Sequence, residues 1–397
     1  MNAKQWVSRH VLTAATGAAM ILTGCGGGGD SAPPAGINAA AQATVSGVSE
    51  FLDLEPGKPL NYETVLPAYF QAALGASDNT PAGAPTSSDA ITLGRVLFYD
   101  RRLSINDAVS CASCHQQDRG FADDKRFSLG FSGSDTTTAH AMRLANLRLY
   151  KPATMFWNKR AASLEAQSTQ PLQHPVEMGF DAAHGGMPAL EEKMKALPYY
   201  PELFRLAFGD SAISHERIQA ALAQFMRRLV SVNSRWDSGY AQVYDPTLPD
   251  KGLGLDVPGL SAQENRGRHL FMAPAAQGGL ACAACHVPPS FALSGSGSNG
   301  LDEGEITSFK SPSLKNVEHS SAFMHDGRFA TLEQVIDHYD SGVKDGPALD
   351  RRLKGPDGRP LVLNLAQEDK AALVAFLKTL SDPVLAANPV FSNPFRQ

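Results

Sequence analysis

The sequence has only five cysteines in 397 residues, no apolar run beyond residue 22 long enough to span a bilayer, no sustained strand-like alternation, and no excess of basic charge. Each shortage excludes something. The missing spans leave no later membrane-crossing segment. The missing alternation leaves no basis for a large sheet. A formal net charge of −5 argues against nucleic acid and allows a basic protein partner. What is present is an ordinary globular balance, 43% apolar and 19% charged. The length suffices for two domains with two cores.

The first 45 residues read as targeting and tether. Lys4 and Arg9 form a basic start, residues 11–22 a short, mostly apolar run, and Leu22-Thr23-Gly24-Cys25 follows. That tetrapeptide resembles a bacterial lipobox. The expectation is a signal peptide over 1–24, removed on maturation, with Cys25 acylated. Ordinary signal cleavage near a chance cysteine is the alternative. The glycines at 26–29 and Pro33-Pro34 suit a flexible tether over 25–45. The protein is then periplasmic and touches a membrane, the outer one by preference, only through its lipid.

The other four cysteines form Cys111-Ala112-Ser113-Cys114-His115 and Cys282-Ala283-Ala284-Cys285-His286. Both match the c-type haem attachment motif. Two thiols one helical turn apart reach the two vinyl groups of one porphyrin, and the adjacent histidine ligates the iron. A shared zinc site is a poor rival, because 168 positions separate Cys114 from Cys282 and both histidines would be coincidental. A thioredoxin-like pair lacks its βαβ surroundings. With Cys25 given to lipid and four sulfurs to haem, no pair remains for a disulfide.

An internal repeat frames the motifs. Gly94-Arg95-Val96-Leu97-Phe98 precedes the first and Gly267-Arg268-His269-Leu270-Phe271 the second, with Phe121 and Phe291 following at nearly equal offsets. Ser261-Ala262-Gln263-Glu264 is a capping box that opens the second helix. Ile218, Leu222, Phe225 and Leu229 form one helical stripe, and Leu373, Phe376, Leu377 and Leu380 another. The Pro-, Gly- and Asp-rich residues 245–259 mark the boundary between domains at 46–245 and 246–397. The predicted fold is all-α, two cytochrome c-like domains with long ordered loops, each carrying one haem.

Residues 90–380 resemble the bacterial dihaem cytochrome c peroxidase and MauG family. The stretches that carry the resemblance are Leu93-Gly94-Arg95-Val96-Leu97-Phe98-Tyr99-Asp100, the first haem motif, Phe156-Trp157, Leu164-Glu165-Ala166-Gln167, Pro175-Val176-Glu177-Met178, Phe309-Lys310-Ser311-Pro312-Ser313-Leu314-Lys315-Asn316, Met324-His325-Asp326-Gly327 and Ala330-Thr331-Leu332-Glu333. The resemblance implies a first haem, ligated by His115, where hydrogen peroxide reacts. A second, ligated by His286, exchanges electrons. Trp157 matches the tryptophan between the haems, Gln167 and Glu177 the distal residues over the first iron, and His325 a histidine near the second. The carbonyls of Ser320 and Ala322 fall where the family holds a calcium ion. Electrons come from a small periplasmic cytochrome c or copper protein. In MauG-like chemistry, residues on a partner protein are oxidised instead, and a plain electron-transfer cytochrome is the non-enzymatic alternative. Homodimers are common in the family. Taken without the resemblance, Glu177 is a solvated carboxylate, Trp157 a core residue, and Gln167 carries no signal.

Four departures stand out. Asn158-Lys159 replaces the usual Asp-Gly after the tryptophan. Phe131 aligns with the histidine that blocks the first iron in many peroxidases, although His140, His174 or His184 could substitute. His140 aligns with the calcium-binding asparagine. Tyr339 aligns with the methionine ligand of the second haem, which is the MauG pattern. Residues 331–334 form a capping box, so Leu332, Val335, Ile336 and Tyr339 share one inward face, with His338 turned away. Tyr339 is therefore the expected sixth ligand of the second iron. A packed core tyrosine, with Met324 or Met272 as ligand, is the alternative.

Overall fold

In a computed structural model that describes residues 47–55, 58–151 and 154–396, the repeat in the sequence becomes a repeat of packing. The expected signal peptide, Cys25 and the tether lie outside the described residues. The helix Ser88–Tyr99 crosses His215–Arg227, and Ala262–Met272 crosses Gln367–Lys378. A Cβ on Gly94 would sit 2.0 Å from the carbonyl oxygen of Ala221, and one on Gly267 would sit 1.9 Å from that of Ala372. Only glycine allows these backbones to approach so closely. Behind each crossing lies an aromatic triad. Phe98 meets Phe121 at 6.1 Å and Phe225 at 5.3 Å, while Phe271 meets Phe291 at 6.0 Å and Phe376 at 5.3 Å.

The local signals are realised as read. Ser261 Oγ accepts from the Glu264 N–H at 3.2 Å, and Glu264 accepts from the Ser261 N–H at 2.7 Å. Both apolar stripes are buried in full. Two hydrophobic cores result, one around Phe98 and Phe225, the other around Phe271 and Phe376. The chain crosses between them. Tyr69 and Phe70, from the early helix Ala68–Ser77, pack in the second core, and Leu385 and Phe391 return to the first. Residues 245–259 form irregular turns. Among the described residues the fold is helical, with one two-stranded antiparallel ribbon, Leu293–Gly297 against Phe309–Ser311. Ribbons this short carry no readable alternation. Among the described residues no helix is long and apolar enough to cross a membrane.

A buried ion pair anchors the second core. Lys315 Nζ pairs with Asp237, donates to Ser234 Oγ at 3.0 Å and lies 5.2 Å from the centre of the Trp236 ring. Asp237 also accepts from Tyr69 Oη at 3.0 Å. Lys315→Ala would leave that carboxylate buried and unpaired, at an expected cost of about 3–5 kcal/mol in the unfolding of the haem-loaded protein. The double variant Lys315→Met/Asp237→Leu should recover much of that loss. Denaturant titration checks both. Equal loss in the single and double variants would show that packing, not charge, sets the cost.

Candidate active site

The first motif folds as a single helical turn, Cys111–Cys114, with a capping box in which Ser113 Oγ accepts from the Ser110 N–H at 3.0 Å. His115 then leaves the helix. Its Nδ1–H donates to the Phe121 carbonyl at 2.9 Å, because a carbonyl can only accept. Phe121 presents that carbonyl from a left-handed backbone, φ 61°. The other nitrogen, Nε2, keeps its lone pair for a metal. The second motif repeats the device. His286 Nδ1 shares its proton between the Phe291 carbonyl at 3.4 Å and Ser311 Oγ at 3.2 Å, with Phe291 at φ 54°. Burial draws both imidazoles down to about 4, so they stay neutral and able to ligate a metal. Burial pushes the Cys111 and Cys282 thiols up to about 12, so neither carries charge. No disulfide joins the four described cysteines.

Beside the second motif lies an apolar cavity of about 440 Å³, within the range of cofactor-sized sites. Cys282, Cys285 and His286 line it, together with Trp157, Met324, His325 and Tyr339. Met272 does not line it; it packs at the edge of the second core. The donor set fits a c-type haem: two thiols, one imidazole with a free Nε2, and an apolar slot.

Tyr339 reaches this cavity by a route the periodicity did not show. The capping box forms, with Thr331 Oγ1 accepting from the Gln334 N–H at 3.2 Å. The α-helix stops at Asp337, however, and the chain widens into a π turn over His338–Gly342. Such widenings re-aim side chains and recur at functional sites. Burial raises the Tyr339 phenol to about 12, opposed by a hydrogen bond with Asn299. His338 turns out of the cavity and donates from Nε2 to the Asn299 carbonyl at 2.9 Å. Asn299 also donates from Nδ2 to the Met324 sulfur at 3.2 Å. Asn299 thus touches Tyr339, His338 and Met324, and nothing in its sequence surroundings marks it.

Trp157 sits on the same wall. Its Nε1–H donates to the His140 carbonyl at 2.8 Å, and the His140 N–H donates to the His325 carbonyl at 2.9 Å. The His325 ring stacks on Phe309 at 4.0 Å and meets Trp157 edge-on at 6.5 Å. These contacts fix the tryptophan plane between segments from both parts of the sequence.

Glu177 faces the first motif. Burial chiefly raises the Cys111 and Cys114 thiols, and the Glu177 charge adds a smaller push in the same direction. The turn that carries it is held by His174, whose Nδ1 accepts from the N–H groups of Val176 and Glu177, both at 3.3 Å. Burial raises the carboxyl of Glu177, opposed by His174 and Arg160, although 30% of the side chain still meets solvent. Phe131 lies alongside, its N–H shared between the carbonyls of Val176 and Glu177 at 3.2 and 3.1 Å and its ring against Gly179. Gln167 sits half-buried on the short helix Leu164–Ser168, and its amide has no partner among the described residues. His184 is turned outward and pairs with Asp181 at 2.7 Å.

The calcium expected at the carbonyls of Ser320 and Ala322 meets an unsuitable neighbourhood. Arg143, buried and without a carboxylate partner among the described residues, donates from Nη1 to Ser320 Oγ at 2.7 Å. His140 presents nitrogen where an asparagine would offer oxygen.

Comparison with known proteins identifies the family. The family model for di-haem cytochrome c peroxidase matches residues 88–244 and 261–373. The methylamine utilization protein MauG of Methylorubrum extorquens is 33% identical over 317 residues, covering 76% of this chain and 80% of that protein. The cytochrome c551 peroxidase of Nitrosomonas europaea is 28% identical, with 80% and 88% covered. A crystal structure of a MauG-like protein associated with microbial copper homeostasis superposes with a TM-score of 0.68 at 31% identity, covering 84% of this chain and 99% of that one. The family implies two c-type haems. The chain belongs to the di-haem cytochrome c peroxidase family and is a dihaem peroxidase-like enzyme.

Proposed function

We propose that the enzyme reacts with hydrogen peroxide at the first haem and draws electrons through the second from a protein. The observation that carries this is Glu177, held on a pinned turn beside Phe131 and within electrostatic reach of the Cys111 and Cys114 thiols. The bound haems supply the redox chemistry. The chain's own groups manage protons and position. Glu177 accepts a proton from the inner peroxide oxygen and returns it to the outer one. The unpartnered amide of Gln167 orients the peroxide. Each half of the helical repeat is a cytochrome c-like domain with one haem, and Trp157 stands between them. The enzyme is periplasmic and lipid-held, on the strength of the basic start, the apolar run and Leu22-Thr23-Gly24-Cys25.

The reductant is a small cytochrome c or copper protein. Residues on a partner protein are the second possibility, favoured by one observation: the Tyr339 phenol in the second cavity, where ordinary peroxidases place methionine. Peroxide turnover by fully haem-loaded protein with such donors tests the proposal, and no turnover with any donor sinks it. Because Phe131 offers no nitrogen, the oxidised enzyme is expected to show one high-spin haem and to react with peroxide without prior reduction. Electron paramagnetic resonance of the as-isolated protein checks this. Two low-spin haems would mean that His174 or His140 has swung in, or that the chain is an electron carrier.

A further inference from the structure

Calcium is a hard cation that takes six to eight oxygen ligands. The residues around Ser320 and Ala322 offer something else. Arg143 donates from Nη1 to Ser320 Oγ at 2.7 Å, and from Nε and Nη2 to the Ser313 carbonyl, both at 3.3 Å. It is 8% exposed. No aspartate or glutamate opposes it among the described residues, and burial alone pulls its pKa down.

His140 closes the other side. Its Nδ1–H is committed to the carbonyls of Lys125 and Arg126, at 3.0 and 3.2 Å. Its Nε2 is buried with no partner, a nitrogen lone pair that calcium does not seek. Lys310 is buried nearby, with Nζ 3.3 Å from the Met155 sulfur and 3.9 Å from the Tyr150 ring centre, and burial pulls its ammonium down to about 7. Arg143, His140 and Lys310 all line the second cavity. A dication here would face an unopposed like charge in a dry setting, where such repulsion is strongest.

We propose that Arg143 takes the place of the family's calcium ion. Its guanidinium ties the segment of Ser313 and Ser320 to the segment of His140, which in turn holds Trp157 and His325 through backbone hydrogen bonds. The carboxylates of a bound haem would be anions able to balance Arg143. Arg143 is thus a positioning residue for Trp157 and for the second haem. A guanidinium suits this role, because a planar fork with fixed donors holds two partners at once, as a spherical ion does with its ligands.

The inference rests on the cavity being the seat of the second haem. Iron content separates the two failures, since a preparation with one haem per chain refutes the seat and not the arginine. In protein with two irons per chain, elemental analysis after dialysis against a chelator should find no stoichiometric calcium. Neither chelator nor added calcium chloride should move the second-haem optical or resonance spectrum. Arg143→Met should shift that spectrum and the second-haem potential, and Arg143→Lys should restore part of the shift. Stoichiometric calcium in the wild-type protein, or a spectrum that changes on chelation, would overturn the proposal. So would a folded, fully loaded Arg143→Met protein with an unchanged second haem. The calcium measurements need no variant and decide the matter even where Arg143→Met fails to fold.

Discussion

Glu177→Gln is expected to lower peroxide turnover by about 10²–10⁴-fold, the usual range for loss of a positioned acid–base group, while leaving both haems attached. Glutamine keeps the volume and the hydrogen-bonding shape but cannot accept the proton that must leave the inner oxygen. The backbone grip of His174 on the turn does not involve the carboxylate, so the turn should hold. The pH profile supplies an independent signature. Burial raises the carboxyl above the usual range for glutamate, opposed by His174 and Arg160. The base works only when ionised. Activity should therefore fall with decreasing pH through that raised pKa, at a higher pH than an exposed glutamate would set. Arg160 favours the ionised form, so Arg160→Met should move the acid limb further up in pH. Steady-state rates against pH for the three proteins check this, with optical spectra confirming that both haems are intact. Turnover within a few-fold of wild type in Glu177→Gln would remove Glu177 from the reaction.

How much of this was legible beforehand follows from the range over which each signal acts. Haem attachment is a local matter, since two thiols and a histidine within five residues are set by one turn of chain. Both motifs could be named residue by residue as candidate attachment sites. Capping boxes and apolar stripes act over one or two helical turns, and those helices form where expected. The repeat of Gly94 and Gly267 was visible as letters, but its cause was not. It lies in the carbonyls of Ala221 and Ala372, over a hundred residues along the chain. Phe131 and Glu177 could be placed near one another only by resemblance, because two irregular loops meet there without any period. The π turn at Tyr339 escaped for a related reason: a helical wheel assumes uniform winding, and the widening begins at His338, one residue before the tyrosine. Arg143 and Lys310 carried no sequence signal of burial, because their burial depends on distant packing. Asn299 had no signal at all.

Tyr339→Met is expected to raise the potential of the second haem by a few hundred millivolts, a substantial part of the ~0.8 V that axial ligands span. An anionic phenolate is a hard oxygen donor and stabilises oxidised iron, whereas a thioether favours the reduced form. The cavity is suited to make the difference large. Tyr339 shares it with His286, and the surrounding wall is mostly apolar, so little solvent screens the ligand's charge. The phenol holds its proton tightly there, pushed to about 12 by burial, and gives it up only to a cation that takes the proton's place. Ligation should therefore release a proton. The wild-type potential should fall as pH rises, and that slope should vanish in Tyr339→Met. A second haem of low potential is a poor acceptor from an ordinary high-potential cytochrome, yet it readily holds oxidising equivalents taken from the first. Tyr339→Met should accordingly gain turnover with a small cytochrome donor and lose any capacity to oxidise residues on a partner protein. Spectroelectrochemical titration of the second haem, run at two pH values, is the direct measurement. Tyr339→Phe is the control, since it removes the oxygen while keeping the ring. An unchanged second-haem spectrum and potential in Tyr339→Phe would make the tyrosine a packing residue. The sulfur of Met324, which lines the same cavity and is held by Asn299 at 3.2 Å, would then be the ligand to test by Met324→Leu.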